Sequence, residues 1–293
     1  PIKYWDIYNV VNNIPVNKNN KTESEYVEEL DILLNKTVCK QMLSDVPIGA
    51  FLSGGIDSST IAALMQANSL KKVKTFTIGF DDFDYNEAKY AKKISEILGT
   101  EHHETFLSSK KALDIIPDLS SIYSEPFADS SQIPTYLVSK IAKEKVTVAL
   151  SGDGGDELFG GYNRYVLGKR MWERISHLPL AFRTLISKSI SNISPETYNL
   201  IFKKLSNVFN LKSTYINLGD KLHKGSTVMV AKNIDELYKN FISHWFNIND
   251  IVKNINSPLI NEINLENNIK SDDFIFKMMF TDLLTYLPDD ILC

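Results

Sequence analysis

From Thr22 onward the apolar residues Tyr26, Val27, Leu30, Leu33, Leu34, Val38 and Met42 recur at three-and-four spacing, which predicts a helix running to about Leu43 with these side chains on one face. The pattern then changes period. Short apolar runs, "VPIGAFL", "VKTFTIGF" and "HHETFL", alternate with amphipathic segments, "STIAALMQA" and "NEAKYAKKISEIL"; further on, "IPTYLVSKIAKE" feeds "VTVAL". Strands that are apolar throughout and alternate with helices predict a parallel sheet covered on both faces. Before Thr22, the Asn-rich, proline-containing "NVVNNIPVNKNN" has the composition of a linker. After about Gly160 the strand signals fade. "NRYVLGKRMWERI", "ETYNLIFKKLSNVF", "IDELYKNFISHWF" and "DDFIFKMMFTDLLTYL" carry helical spacing between Asn-, Gly- or Pro-containing turns, with Tyr238, Phe241 and Trp245 expected in the core. The expected organisation is therefore a linker over 1–21, an α/β domain over 22–160 and a mainly helical region over 161–293.

Composition narrows the function classes. The chain has 293 residues, 43% of them apolar, enough for a substantial core, and a net charge of −4. Its Lys and Arg residues are scattered, so nothing draws it to nucleic acid or to an anionic membrane. No apolar run reaches the roughly 18 residues that a membrane-spanning helix needs. Cys39 and Cys293 are too few and too far apart for a disulfide framework or a zinc cluster, which favours a reducing compartment, the cytoplasm. The expected partners are small molecules or other proteins.

Two stretches carry candidate chemistry. In "VPIGAFLSGGIDSSTIAALM" a buried strand ends on Ser53, Gly54 and Gly55, and a helix begins with Asp57, Ser58 and Ser59. A helix start offers unpaired N–H groups and the positive end of a dipole, an arrangement suited to phosphate. "VTVALSGDGGDELFGGY" repeats the grammar: a strand ending at Leu150, then Ser151 and Gly152, then Asp153, two further glycines, Asp156 and Glu157. In an open parallel sheet ligands bind beyond the carboxyl ends of the strands, so two such loops form one pocket if their strands are neighbours. Taken singly, either loop is also explained by glycine φ angles and helix caps alone. The two together are explained less well that way.

Several phosphate-binding motifs are absent. There is no "GxxxxGK[ST]", "HKGST" around Lys224 has the wrong order, and in "GDGGDE" Glu157 stands where a dinucleotide fingerprint needs its third glycine. Charge adds a constraint. Asp57, Asp153, Asp156 and Glu157 around a triphosphate would repel it by roughly 3 kcal/mol per pair at ~5 Å and an effective dielectric of ~20. A magnesium ion reverses that sign, because it takes oxygen ligands from one or two carboxylates together with phosphate oxygens. Asp57 thus reads as a metal ligand.

On these residues the chain resembles the synthetase domain of class B, glutamine-hydrolysing asparagine synthetases, members of the PP-loop ATP pyrophosphatases. "SDVPIGAFLSGGIDSS" matches the pyrophosphate loop, "TFTIGF" with "YNEAKYAKKISEILGTEHHE" the second strand and helix, and "ALSGDGGDELFGGYNRY" the second signature. The resemblance implies a five-stranded parallel sheet flanked by helices, of the adenine nucleotide alpha hydrolase-like type, followed by a helical region. It also implies a reaction: a carboxylate, aspartate by default, attacks the α-phosphorus of ATP, pyrophosphate leaves, and ammonia attacks the acyl-adenylate. Carried over, Ser53, Gly54, Gly55, Asp57 and Ser58, with Ser151, would hold the pyrophosphate end of ATP. Asp57 and Asp156 would bind Mg²⁺, and Leu52, Ile78 and Gly152 would line the adenosine part. Asp153 takes the place of a glutamate implicated in forming or using the intermediate, one methylene shorter.

The resemblance further implies a glutaminase domain ahead of "PIKYWDI" and a Lys- and Arg-bearing segment after "LPDDILC", so that the 293 residues alone are expected to be inactive. It leaves room for a homodimer. "SEPFADSSQIPTYL" lacks the arginine of dedicated asparagine makers, which keeps sugar carboxylates open as acceptors, and a nucleotide-binding fragment without turnover is a further alternative. β-Lactam-forming synthetases and tRNA-thiolating enzymes share the superfamily; the acidic charge and the lack of a catalytic cysteine pair disfavour the latter. Adjacent His102 and His103 would point to opposite faces of a strand and so are expected in packing or surface roles. Cys39 is expected in the core, and Tyr85, Asn86 and Glu87 as helix caps.

Overall fold

The computed structural model describes residues 2–13, 21–80, 87–125, 129, 131–208, 218–243, 269, 271 and 273–293. In chain order these form α1 (Ile7–Asn12), α2 (Glu23–Gln41), β1 (Ile48–Phe51), α3 (Ile56–Ala67), β2 (Lys74–Phe80), α4 (Ala88–Leu98), β3 (Glu101–Leu107), α5 (Ser109–Ile115), α6 (Leu119–Ile122), α7 (Gln132–Lys143), β4 (Val148–Leu150) and α8 (Gly155–Phe159). Then follow α9 (Asn163–Ile175), α10 (Leu180–Ser191), α11 (Pro195–Val208), α12 (Leu218–Met229), α13 (Ile234–Ile242), α14 (Phe274–Leu284) and a π-helical turn, Leu287–Ile291. The chain divides into two compact units. An α/β unit comprises 15–159 with 283–293, and a helical unit comprises 1–14 with 160–282.

In the α/β unit all four strands run parallel in the order β3-β2-β1-β4. The sheet expected from the family resemblance has five; among the described residues there are four, one for each apolar run of strand length in the sequence. The register pairs Ala50 with Thr75 on one side and with Leu150 on the other, making β1 the inner strand next to β4. Successive residues of β1 serve opposite faces. Ala50 packs with Val38, Met65 and Val73, and Leu52 with Ala62 and Ala91, whereas Phe51 lies with Phe76, Ala142 and Val146. That is why the strand reads as a continuous apolar run. β4 departs from the pattern: it has three residues, lies at the sheet edge and leaves Val148 41% exposed.

Thr22 and Glu25 close a capping box at the start of α2: the Glu25 N–H donates to the Thr22 hydroxyl, and the Glu25 carboxylate accepts from the Thr22 N–H at 2.7 Å. The apolar face expected along this helix is buried only toward its C-terminal end, at Val38; Tyr26, Val27 and Leu33 are exposed. Periodicity fixes which residues share a face and not what covers that face. Cys39 is half-buried. Glu87 occupies the N-cap of α4 without a side-chain cap bond, so its expected capping role is not seen, while Tyr85 and Asn86 lie outside the described residues.

The helical unit is built around Tyr165, Ile175, Val228, Leu237, Tyr238, Phe274 and Met278, with Phe241 packed against them; Trp245 lies outside the described residues. Within the stretch that reads as linker, Ile7–Asn12 form α1, capped by Asp6, whose Tyr8 meets Phe280 edge-on at 5.1 Å. Arg183 is buried and donates to the carbonyls of Leu178, Met229 and Ala231, satisfying acceptors at the end of α12. Among the described residues no helix is long and apolar enough to cross a membrane.

Candidate active site

The first loop is held from behind by the sheet. Leu52, 1% exposed, donates its N–H to the Phe76 carbonyl at 2.9 Å, and its own carbonyl accepts from the Thr77 hydroxyl. The chain then turns at Gly54, whose φ of 88° is one that L side chains rarely adopt; a β-carbon there would stand 2.8 Å from Ala91 N and 2.9 Å from Tyr90 Cβ at the start of α4. A small serine network fixes the turn. The Ser53 N–H donates to Ser58 Oγ at 3.2 Å, the two hydroxyls are 2.9 Å apart, and the Gly55 N–H donates to Ser53 Oγ at 3.3 Å. Gly55 is the N-cap of α3 and supplies no side-chain cap bond. The Ser59 and Thr60 hydroxyls bond backward, to the carbonyls of Gly55 and Ile56. Ser53 and Gly55 are exposed, while Ser58 is buried within the network.

The second loop follows the same course one strand away. Beyond Leu150, Ser151 and Gly152 are half-buried and Asp153 is exposed; Gly154 has a φ of 88°, equal to that of Gly54, and α8 starts at Gly155, whose N–H donates to the Gly152 carbonyl at 3.1 Å. Asp156 is half-buried in the first turn of α8 and Glu157 is 1% exposed.

Because β1 and β4 are paired, the two loops leave the sheet side by side and touch. A β-carbon on Gly152 would stand 2.6 Å from Ser58 N and 2.8 Å from the carbonyl carbon of Asp57; one on Gly155 would stand 2.5 Å from Asp57 Cγ. The Asp57 carboxylate is thereby partly withdrawn from water, and burial, aided by the charge of Glu157, raises its pKa above the usual aspartate value. A carboxylate whose charge is opposed in this way gains from a nearby cation. Ile78 is half-buried on β2, next in sequence to Thr77, which bonds Leu52.

The residues singled out in the sequence at 52–58 and 151–156 therefore lie on two adjoining loops. Sequence reading passed over Gly155 as a contact point and set Glu157 among the acids around a triphosphate, whereas it is buried. The signal for both was the glycine pair before the acids in "GDGGDE", whose meaning depends on a neighbour a hundred residues away. Among the described residues no group of three or more His, Cys, Asp or Glu side chains is placed to hold a metal ion. The oxygen donors present match a cation that completes its shell with phosphate oxygens and water, as magnesium does, better than one caged by protein alone.

The profile of the family described as "Asparagine synthase" matches residues 29–293. Asparagine synthetase [glutamine-hydrolyzing] 1 of Bacillus subtilis is 41% identical over 155 residues, covering 52% of this chain and 24% of that protein. Several relatives bear the name "Putative asparagine synthetase [glutamine-hydrolyzing]", and two of them span different shares of this chain. The one numbered 2, of Methanocaldococcus jannaschii, is 42% identical over 186 residues, 63% of this chain and 34% of its own. The other, of Mycobacterium tuberculosis, is 30% identical over 276 residues, 94% of this chain and 39% of its own. The chain thus spans between about a quarter and two fifths of the length of these relatives. With the profile covering most of its length and both loops inside the match, the chain belongs to the asparagine synthase family.

Proposed function

We propose that this chain is the ATP-consuming portion of an amide-forming ligase, acting on aspartate as the default acceptor. The observation that carries the proposal is the lodging of Asp57 against Gly152 and Gly155, which unites a helix start and two acidic glycine loops in one locus. In the reaction an acceptor carboxylate oxygen attacks the α-phosphorus of ATP, the bond to the bridging oxygen breaks, and pyrophosphate leaves. Ammonia then attacks the acyl carbon, a C–N bond forms, AMP departs and the nitrogen sheds a proton.

The chain's own groups supply position and charge. The exposed Ser53 and Gly55, with the N–H groups at the start of α3, would face the leaving pyrophosphate, and Ser58 and Ser151 would border it. Leu52, Ile78 and Gly152 would line the adenosine. Asp153, exposed at the tip of its loop, would address the intermediate. Asp57 and Asp156 would hold Mg²⁺, which when bound neutralises charge on the departing phosphates. The named relatives are glutamine-hydrolysing, so the ammonia is assigned to a glutaminase domain. The two free thiols, Cys39 and Cys293, support a cytoplasmic setting.

The test is isotope exchange between labelled pyrophosphate and ATP, with aspartate, Mg²⁺ and the full-length protein that contains this segment. Exchange that requires aspartate is the expected result. Exchange only with another carboxylate would reassign the acceptor; none with any carboxylate, despite tight MgATP binding, would leave a nucleotide-binding module.

A further inference from the structure

Within the α/β unit, the peptide group that joins Leu52 to Ser53 is held on both edges by side-chain hydroxyls. β1 ends at Phe51, whose partner on β2 is Phe76, so the Leu52 carbonyl lies one step past the last paired residue. Leu52 is 1% exposed, which shuts that carbonyl off from bulk water, and the carbonyl accepts a hydrogen bond from the Thr77 hydroxyl. On the opposite edge the Ser53 N–H donates to Ser58 Oγ at 3.2 Å. One hydroxyl comes from β2 and the other from α3.

A peptide group is planar and rigid, so holding its oxygen and its N–H fixes the rotation of the whole plane. This plane stands where the chain leaves the sheet, and the turn that follows takes its direction from it. Ser53 Oγ lies 2.9 Å from Ser58 Oγ and accepts the Gly55 N–H at 3.3 Å; the Gly55 carbonyl in turn accepts the Ser59 N–H at 3.1 Å, which opens α3. The N–H groups that make a helix start an anion site are thus aimed from a single peptide plane.

Thr77 is 4% exposed and lies between Phe76 and Ile78 on β2. An apolar β-branched residue suits such a position equally well for strand formation and packing. What threonine adds is the hydroxyl, and a buried hydroxyl needs a partner. Without it the Leu52 carbonyl is left buried and unsatisfied, and rotation of the plane is the movement that relieves this.

We infer that Thr77 is a positioning residue for the phosphate end of the nucleotide, acting through the Leu52 carbonyl on the direction of the Ser53–Gly55 turn and the start of α3. The consequence for MgATP rests on the proposed function; the fixing of the plane does not.

Thr77→Val and Thr77→Ser separate this role from plain stability. Valine keeps the branched shape and loses the hydroxyl; serine keeps the hydroxyl and loses a methyl group, which leaves a small cavity. In the full-length protein that contains this segment, calorimetry should give a MgATP Kd about tenfold higher for Thr77→Val, the order expected for one lost hydrogen bond. Thr77→Ser should keep the parental Kd although its urea midpoint is lower. Without nucleotide, hydrogen exchange at Ser53 and Gly55 should quicken in Thr77→Val and stay parental in Thr77→Ser. A merely structural role would make Kd follow the urea midpoint across the two variants; that pattern, or a parental Kd in Thr77→Val, would overturn the inference. Should Thr77→Val fail to fold, Thr77→Ala takes its place, differing from Thr77→Ser by the hydroxyl alone, with the same readings expected. If the parent binds no MgATP, the nucleotide reading fails, and exchange at Ser53 and Gly55 alone decides whether Thr77 sets the plane.

Discussion

The carboxylate of Asp57 rests on the backbone of Gly155, so closely that a β-carbon at 155 would stand 2.5 Å from Asp57 Cγ. One loop's acid is thus seated on the other loop's glycine, and the position of the first depends on the second having no side chain there. The same is true of Gly152 against the Asp57–Ser58 peptide, where the close atoms are backbone and cannot step aside.

Gly152→Ala is accordingly expected to push the loops apart. Overpacking of this kind costs about 1–3 kcal/mol, read as a lower urea midpoint with an unchanged slope, and MgATP affinity should fall with it. A variant of parental stability and affinity would mean that the loops do not touch in solution.

Asp57→Asn should separate folding from function. Burial and Glu157 raise the pKa of this carboxylate, so its ionised form opposes folding; that strain is absent at low pH and sets in as pH rises through the folded-state pKa. The amide variant should therefore melt at or above the parental temperature at pH 7, while Mg²⁺ enhancement of ATP binding drops by about tenfold or more, the worth of one charge-assisted contact. A lower melting temperature combined with an intact metal response would contradict both halves.

Gly54→Ala meets two obstacles together, a positive φ and the start of α4 at 2.8 Å. The backbone strain alone costs about 1–3 kcal/mol, and chemical denaturation should show a loss at least that large. Nucleotide binding should weaken in the protein that remains folded, because the turn carries Ser53 and Gly55.

His102 predicts a pH dependence of opposite sign and in a different range. Its Nδ1 is 3.0 Å from the Thr75 hydroxyl, and its Nε2 is buried with the Glu104 carboxylate 4.0 Å away. Burial lowers its pKa, with Lys92 and His103 acting in the same direction and Glu104 against them. Folding favours the neutral ring, so its contribution is complete above the unfolded-state pKa of about 6.5 and is lost as pH falls below that toward the folded value. Denaturation at pH 7.5, 6 and 5 should show a steeper decline for the parent than for His102→Gln. Parallel declines would remove His102 as the cause.

The sheet was legible because its inner strands β1 and β2, covered on both faces, wrote largely apolar runs unlike an amphipathic helix; "IGAFL" packs Ala50 and Leu52 to one side and Phe51 to the other. The two loops were legible as glycine turns beside acids, and their family as a resemblance. What escaped was whatever depends on distance in space. The partnership of β1 with β4, the contact of Gly155 with Asp57 and the convergence of Arg164, Tyr165 and Tyr238 on Asp282 join residues far apart in the chain, and no local period encodes them. The exposed stripe on α2 is the converse case: the period was read correctly, but sharing a face does not say what lies opposite it.

The pairing of Ala50 with Leu150 has a bearing on biogenesis. As a ribosome releases the chain, the Ser53–Ser58 turn emerges some hundred residues ahead of its counterpart, and closing so long a stretch is entropically slow compared with local hairpins or helices. Until the short edge strand docks, Asp57 has nothing to lean on. A nascent or partly refolded molecule would accordingly carry half a cradle, and nucleotide added during refolding should favour the finished sheet by mass action, acting as a late ligand-dependent checkpoint.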